Sequence, residues 1–336
     1  MIKKHVLKKR SNLKICLTLL IFALTFTACD LSNDDGDKYE NYDSIIKLIE
    51  SDPNLSSLLS ALDVADSNLP TVFGSSGAYT LLAPTNSAFE TFLDGRTLNE
   101  IPKAELTQLL LNHIISGRVT TTEFNNAIAN DIHYTTTYAE GPETDDNSTL
   151  SIYFENEEAL TFNGISKVIA TGIEANNGIV YKVDAVITLP NILTFTTVDE
   201  QFSSLKAALT TEGQPDFIGI LSTANGTSPA PFTLFAPTND AFTDLGTLPT
   251  GDALTAVLQH HVVTSTNIRG EEIISGDAIN ASTLEGDDIS FEGSVNAIFI
   301  KDGSGNSDSK IISGNIQGSN GVIHAITKVL IPDTTN

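Results

Sequence analysis

Apolar positions along this chain run twice through the same order, helical spacing first and strand-like alternation after it. Leu55, Leu58, Leu59 and Leu62 stand at i, i+3, i+4 and i+7 and predict an amphipathic helix, with Asp52 as its cap and Pro53 at its first position. Leu106, Leu109 and Leu110 form a second stripe that leads to His113. From Thr135 the texture changes to short alternating stretches rich in Thr, Tyr, Ile and Val, which predict strands around a polar hairpin or loop at 141–148. A strand over 179–189 then closes the unit at Pro190. The plan recurs with a helical stripe at Val198, Phe202, Leu205 and Leu209, and with a helix ending at His260 and His261. Strands at 289–291 and 297–300 precede a closing strand over 322–331.

The recurrence is also literal. Thr80-Leu81-Leu82-Ala83-Pro84-Thr85-Asn86-Ser87-Ala88-Phe89 returns as Thr233-Leu234-Phe235-Ala236-Pro237-Thr238-Asn239-Asp240-Ala241-Phe242, so the chain contains an internal repeat. Within each copy an apolar β-type run ends at the Ala, and the Pro fixes φ and keeps its predecessor extended. Thr and Asn side chains then offer oxygens to the free N–H groups of a helix that starts there. Each copy reads as a strand-to-helix joint, with Ala88, Phe89 and Phe92 turned back on the strand.

Two further landmarks are shared. Asn177-Gly178-Ile179-Val180-Tyr181-Lys182-Val183 corresponds to Asn320-Gly321-Val322-Ile323-His324-Ala325-Ile326, and Leu110-Leu111-Asn112-His113 to Leu258-Gln259-His260-His261. With the decapeptide these motifs resemble those of the fasciclin (FAS1) domain, over nearly everything from about residue 43 to 332. The resemblance implies an α+β fold of two tandem FAS1-like domains, at 43–190 and 194–332, each a β-sheet wedge with helices packed on one side. It implies extracellular binding and adhesion, with Ala83, Pro84, Thr85, Asn86, His113, Asn177 and Gly178 as fold-making residues. Their counterparts are Ala236, Pro237, Thr238, Asn239, His261, Asn320 and Gly321, together with His324. The Tyr-His and Asp-Ile pairs tied to integrin adhesion in animal relatives do not carry over. Asn112 and His260 stand at the Tyr position, and Gly172-Ile173 and Asn315-Ile316 at the other pair.

Charge is divided unevenly over the 336 residues. Six of the 18 Lys and Arg fall within the first 29 residues, which hold no Asp or Glu; the remainder carries 12 basic against 42 acidic side chains, a formal −30. Such a surface repels a phosphate backbone and argues against nucleic acid as a partner; a divalent cation or a basic protein surface fits better, and solubility alone is the plainer reading. Basic residues followed by the uncharged run 15–28 predict an export signal over 1–28. Its end, Leu24-Thr25-Phe26-Thr27-Ala28-Cys29, resembles a bacterial lipoprotein signal with Cys29 acylated, although Phe26 stands where that pattern prefers Leu. Cys16 leaves with the signal, so one mature cysteine remains, which builds no disulfide or zinc cluster. Residues 29–42 read as an acidic tether, and an acidic tract behind the lipid-bearing cysteine resembles Bacteroidetes-type surface lipoproteins. The expectation is an outer-membrane protein, held by lipid at Cys29, whose partners are an extracellular protein or polysaccharide. A carbohydrate-binding accessory role in glycan uptake is the alternative.

Motifs for catalysis are missing: no nucleophile elbow, His-Glu-x-x-His, phosphate loop or dinucleotide fingerprint occurs. No enzyme, cofactor or metal is expected. His113, His261 and His324 lie beside apolar residues and read as core histidines, and adjacent His260 and His261 diverge by about 100° on a helix. The loop Asp302-Gly303-Ser304-Gly305-Asn306-Ser307-Asp308 imitates the start of a calcium loop but lacks its turn glycine and closing Glu, so a hairpin is favoured.

Overall fold

The computed structural model describes residues 42–65, 69, 77–142, 148–276, 280–294 and 297–333. The export signal, Cys29 and nearly all of the tether lie outside these residues, as does most of the loop at 141–148.

Helices Ile45–Ser51 and Ser56–Val64 open the first half, joined by a single turn, Pro53–Leu55. Asp52 caps that turn by accepting the Asn54 N–H at 2.9 Å. Strand β1 (Tyr79–Pro84) passes into helix Asn86–Leu93, and helix Lys103–Leu111 into β2 (Ile114–Ser116). After helix Thr121–Ile128 come β3 (Tyr134–Glu140), β4 (Thr149–Asn156), β5 (Leu160–Phe162), β6 (Ser166–Lys167), β7 (Ile173–Ala175) and β8 (Gly178–Val183). They form one sheet in the order β6-β5-β4-β3-β2-β1-β8-β7, with β1 and β8 parallel. A bridge from Val168 to Val183 curls the sheet back on itself.

Alternation along the central strands feeds two cores. Leu81 and Ala83 face the helices, whereas Leu82 faces the inside of the curl. There Phe124 of helix Thr121–Ile128 meets Phe154 and Phe162 edge-on, with ring centroids 5.0 and 5.5 Å away.

The second half repeats this layout. Helices Ile192–Val198, Ser203–Leu209 and Phe217–Leu221 precede β9 (Phe232–Pro237), helices Asn239–Leu245 and Asp252–His260, β10 (Val262–Thr264) and helix Gly270–Ser275. Strands β11 (Asn280–Ser282), β12 (Asp288–Ser294), β13 (Ala297–Lys301), β14 (Ser309–Gly318) and β15 (Gly321–Ile326) complete a sheet ordered β10-β9-β15-β14-β13-β12-β11.

Three local expectations change. The stripe from Val198 to Leu209 is not one helix, because Asp199 ends the first helix and caps a turn at Glu200–Phe202 before the next begins. Both closing strands are short. Beyond Val183 the Lys167 N–H donates to Asp184 Oδ1, and beyond Ile326 the Lys310 N–H donates to Thr327 Oγ1, so a side chain takes one of the two bonds that a ladder would make there. Finally, β14 is the longest strand described, yet its register shifts twice and Asn315 sits at φ 57°, which hides the two-residue period.

No linker separates the halves: β8 is followed by Pro190, and the next helix starts at Ile192. The Gln317 N–H donates to Ser151 Oγ at 2.9 Å, joining β14 to β4. Tyr153, 4% exposed, packs into the core of the second half with Ile192 and Phe195. Tyr134 meets Phe195 edge-on at 5.6 Å, and its hydroxyl donates to Asp199 Oδ2 at 2.7 Å. In the first half the equivalent carboxylate, Asp52, instead pairs with Lys182 of β8; the register places Ala325 at that position of β15. Tyr134→Phe is expected to weaken the junction by about 1–2 kcal/mol, since it leaves a part-buried carboxylate oxygen short of one donor. Calorimetry reads this as loss of coupling between the two unfolding transitions; an unchanged trace would contradict it.

Candidate functional site

The repeated motifs fall inside the fold. Thr85 and Thr238 have extended backbone and accept the Ala88 and Ala241 N–H groups at 3.3 and 3.4 Å, capping the helices that follow. Asn86 and Asn239 do not cap those helices, contrary to expectation, because each already occupies the first helical position. Asn86 Oδ1 accepts the Ser57 N–H and its amide donates to Pro53 O, both at 2.9 Å, so it caps the opening helix instead. Asn239 does the same for Ser204 and Glu200 at 2.9 and 2.8 Å. Ala83 and Ala236 are fully buried, and Pro84 and Pro237 end their strands.

Asn177 and Asn320 bind the first helix of each half. Ile45 N–H donates to Asn177 Oδ1 at 2.9 Å, and Ile192 N–H to Asn320 Oδ1 at 3.0 Å. Gly178 and Gly321 follow, where β8 and β15 begin to pair with β1 and β9. His113 and His261 occupy equivalent sites. Nδ1 lies 2.7 Å from Leu109 O or Val257 O and must donate there; Nε2 accepts the Ile187 N–H at 2.9 Å or the Leu330 N–H at 2.8 Å. That arrangement holds only for the neutral ring, and burial accordingly lowers each pKa to about 4. His324 takes the place of Tyr181: both point at the equivalent loop carbonyl, Ile268 O at 2.8 Å and Val119 O at 3.0 Å.

The imitation calcium loop is a hairpin turn between β13 and β14. Asp302 Oδ1 accepts from Asn306 N–H and Ser304 Oγ, and Oδ2 from Ile331 N–H, so the carboxylate is occupied by the protein. His260 Nε2 accepts the Gly303 N–H at 3.0 Å. Among the described residues no group of three His, Cys, Asp or Glu is placed to hold a metal ion.

Where the halves meet, a cleft of ≈ 1050 Å³ opens between helix Thr121–Ile128, β4 and the turn at Glu200. Glu155, Glu157 and Glu200 line it, with Asp131 and the aromatic pair His133 and Tyr153, stacked at 5.7 Å and 16°. Ile312 of β14, 54% exposed, contributes an apolar spot on the far wall. Neither Lys nor Arg is among the described residues that line it. Burial, then the neighbouring Glu157, raises the pKa of Glu155, and burial together with Asp199 raises those of the Tyr134 and Tyr153 hydroxyls. The cleft can therefore hold positive charge. Sequence reading missed it, because its walls come from residues far apart in the chain. The acidic runs at 155–158 and 199–200 were the available signal.

Comparison with known proteins agrees with this fold. The fasciclin domain model matches residues 53–190 and 200–332. Transforming growth factor-beta-induced protein ig-h3 of Sus scrofa is 28% identical over 269 residues, which cover 77% of this chain and 35% of that protein. Periostin of Homo sapiens is 26% identical over 297 residues, covering 86% of this chain and 31% of that one. The chain thus spans about a third of these curated relatives. The solved FAS1 domain pair of the insect cell adhesion molecule fasciclin I shares the fold at a TM-score of 0.51 and 18% identity, covering 83% of this chain and 97% of that chain.

Proposed function

This chain belongs to the fasciclin domain family, and from that premise we propose that it is a lipid-anchored adhesion protein of the cell envelope. Its paired domains bind an extracellular protein or glycan and are held to the outer membrane, at the cell surface, through an acylated Cys29. The observation that carries the reading is the pairing of two fasciclin domains, joined by hydrogen bonds, around an open cleft. The likeness to a domain pair from a cell adhesion molecule supports it. The backbone partners of His113, His261 and His324 give these three histidines a structural role, which supports a binding reading.

Two measurements test the reading. Cys29→Ser is expected to move the protein from the membrane to the soluble fraction; full retention in the membrane would refute the anchor. The whole chain displayed on liposomes is expected to attach saturably to cells or to immobilised matrix proteins. Attachment to a single polysaccharide and to nothing else would favour the glycan-uptake role instead.

A further inference from the structure

The cleft between the two halves is built from both, and it has the size of a ligand site rather than a packing fault: ≈ 1050 Å³, at the upper end of the range typical of small-molecule pockets. Three features decide what fits. Its carboxylates include Glu155 and Glu157 from the first half and Glu200 from the second, and neither Lys nor Arg is among the described residues that line it. They do not converge on a point, and no three of the described acidic or histidine side chains form a metal-sized cage, so a lone divalent cation is a poor match. The lining also includes His133, stacked on the buried Tyr153, and the exposed side chain of Ile312, an apolar spot that a purely ionic ligand would leave uncovered.

We infer that the cleft is the docking site for an extended basic segment of a partner protein. Its Lys or Arg side chains would lie against Glu155, Glu157 and Glu200, and an apolar side chain against Ile312. The inference rests on reading the chain as a binding protein and specifies the partner's chemistry. Cationic side chains spaced along an extended backbone meet carboxylates contributed by both halves, whereas a neutral sugar leaves those charges uncompensated.

The test uses the full chain in detergent micelles and a labelled ten-residue peptide of alternating Lys and Leu, with protein-free micelles as blank. Saturable one-to-one binding that weakens as salt rises is expected. Glu155→Gln with Glu157→Gln is expected to weaken it ~10-fold or more, and Ile312→Ser about 3-fold. Glu90→Gln with Glu105→Gln, on helices outside the cleft, is expected to change it less than about 2-fold. Equal losses from both Glu pairs would reduce the effect to diffuse attraction and overturn the inference. So would absence of saturation, or displacement of the peptide by maltohexaose. Cell attachment of the unmodified protein judges adhesion separately. A protein that binds the peptide but no cells keeps this inference and loses adhesion; one that attaches to cells and ignores the peptide does the reverse.

Discussion

Gly321→Ala is expected to unfold the second half of the protein at temperatures where the first remains folded. Gly321 has φ +157°, and a Cβ built there would lie 2.3 Å from Phe232 O and 2.8 Å from Phe232 N. Those are backbone atoms of β9, the strand on which β15 begins its parallel pairing, so no side-chain rotation relieves the overlap. The two central strands must part, and they carry Leu234, Ala236, Ile323 and Ala325 into the core with them. The preceding residue, Asn320, would lose its hold on the Ile192 N–H as the strand start moves. Backbone strain and lost packing together cost about 3 kcal/mol or more, a large share of a domain's stability. Calorimetry should show one transition lowered by about 10 °C. Gly95→Ala serves as the control: it sits at φ +82° in open space, so only the local backbone penalty of about 1 kcal/mol applies. Equal shifts for the two variants would refute the close-approach argument.

Acid is expected to unfold the second half before the first. His113, His261 and His324 are buried and neutral, each with its pKa lowered from 6.5 to about 4 chiefly by burial. Two of the three belong to the second half, and burial lowers His260 there as well. Around His261, Asp302 favours and His260 opposes the charged ring; around His324, Glu271 favours and Arg269 opposes it. The sign follows from proton uptake: below pH 6.5 the unfolded chain binds protons that the folded chain refuses. The stabilising contribution is complete above 6.5 and is lost as pH falls toward 4, about 3 kcal/mol per ring when fully titrated. The second half should therefore lose at least twice as much as the first over this window. Circular dichroism melts at pH 7, 5.5 and 4 read the two transitions directly. His324→Tyr, which restores the first half's residue at that position, should flatten the pH slope of the second transition, and an unaltered slope would refute the assignment.

What could be read in the chain was local. The strand-to-helix joints at Pro84 and Pro237 rest on neighbouring residues and one capping Thr, so ten positions suffice to specify them. The helical stripes at Leu55 and Leu106 likewise follow from spacing. What stayed hidden depends on distant partners. Asn86 reaches a helix 29 positions upstream, and the Nε2 atom of His113 meets an N–H 74 positions downstream. Strand β14 escaped notice because its shifts in register break the alternation by which a strand announces itself. The cleft was invisible for a further reason: its position is set by how Tyr134 and Tyr153 seat against Phe195 and Asp199, a fit between surfaces that no single segment encodes.

The two copies are not equal heirs of the duplication that made them. Asp52 finds its counter-charge, Lys182, within its own repeat, while Asp199 depends on a hydroxyl lent by the neighbour upstream, with Ala325 where the lysine would be. A gene that lost its second repeat would still encode a first one with this contact intact. A gene that lost its first would encode a second one whose Asp199 carboxylate keeps only its bonds from Gln201. In that respect the doubling works as a ratchet: the second copy, unlike the first, keeps this contact only when transplanted with its neighbour.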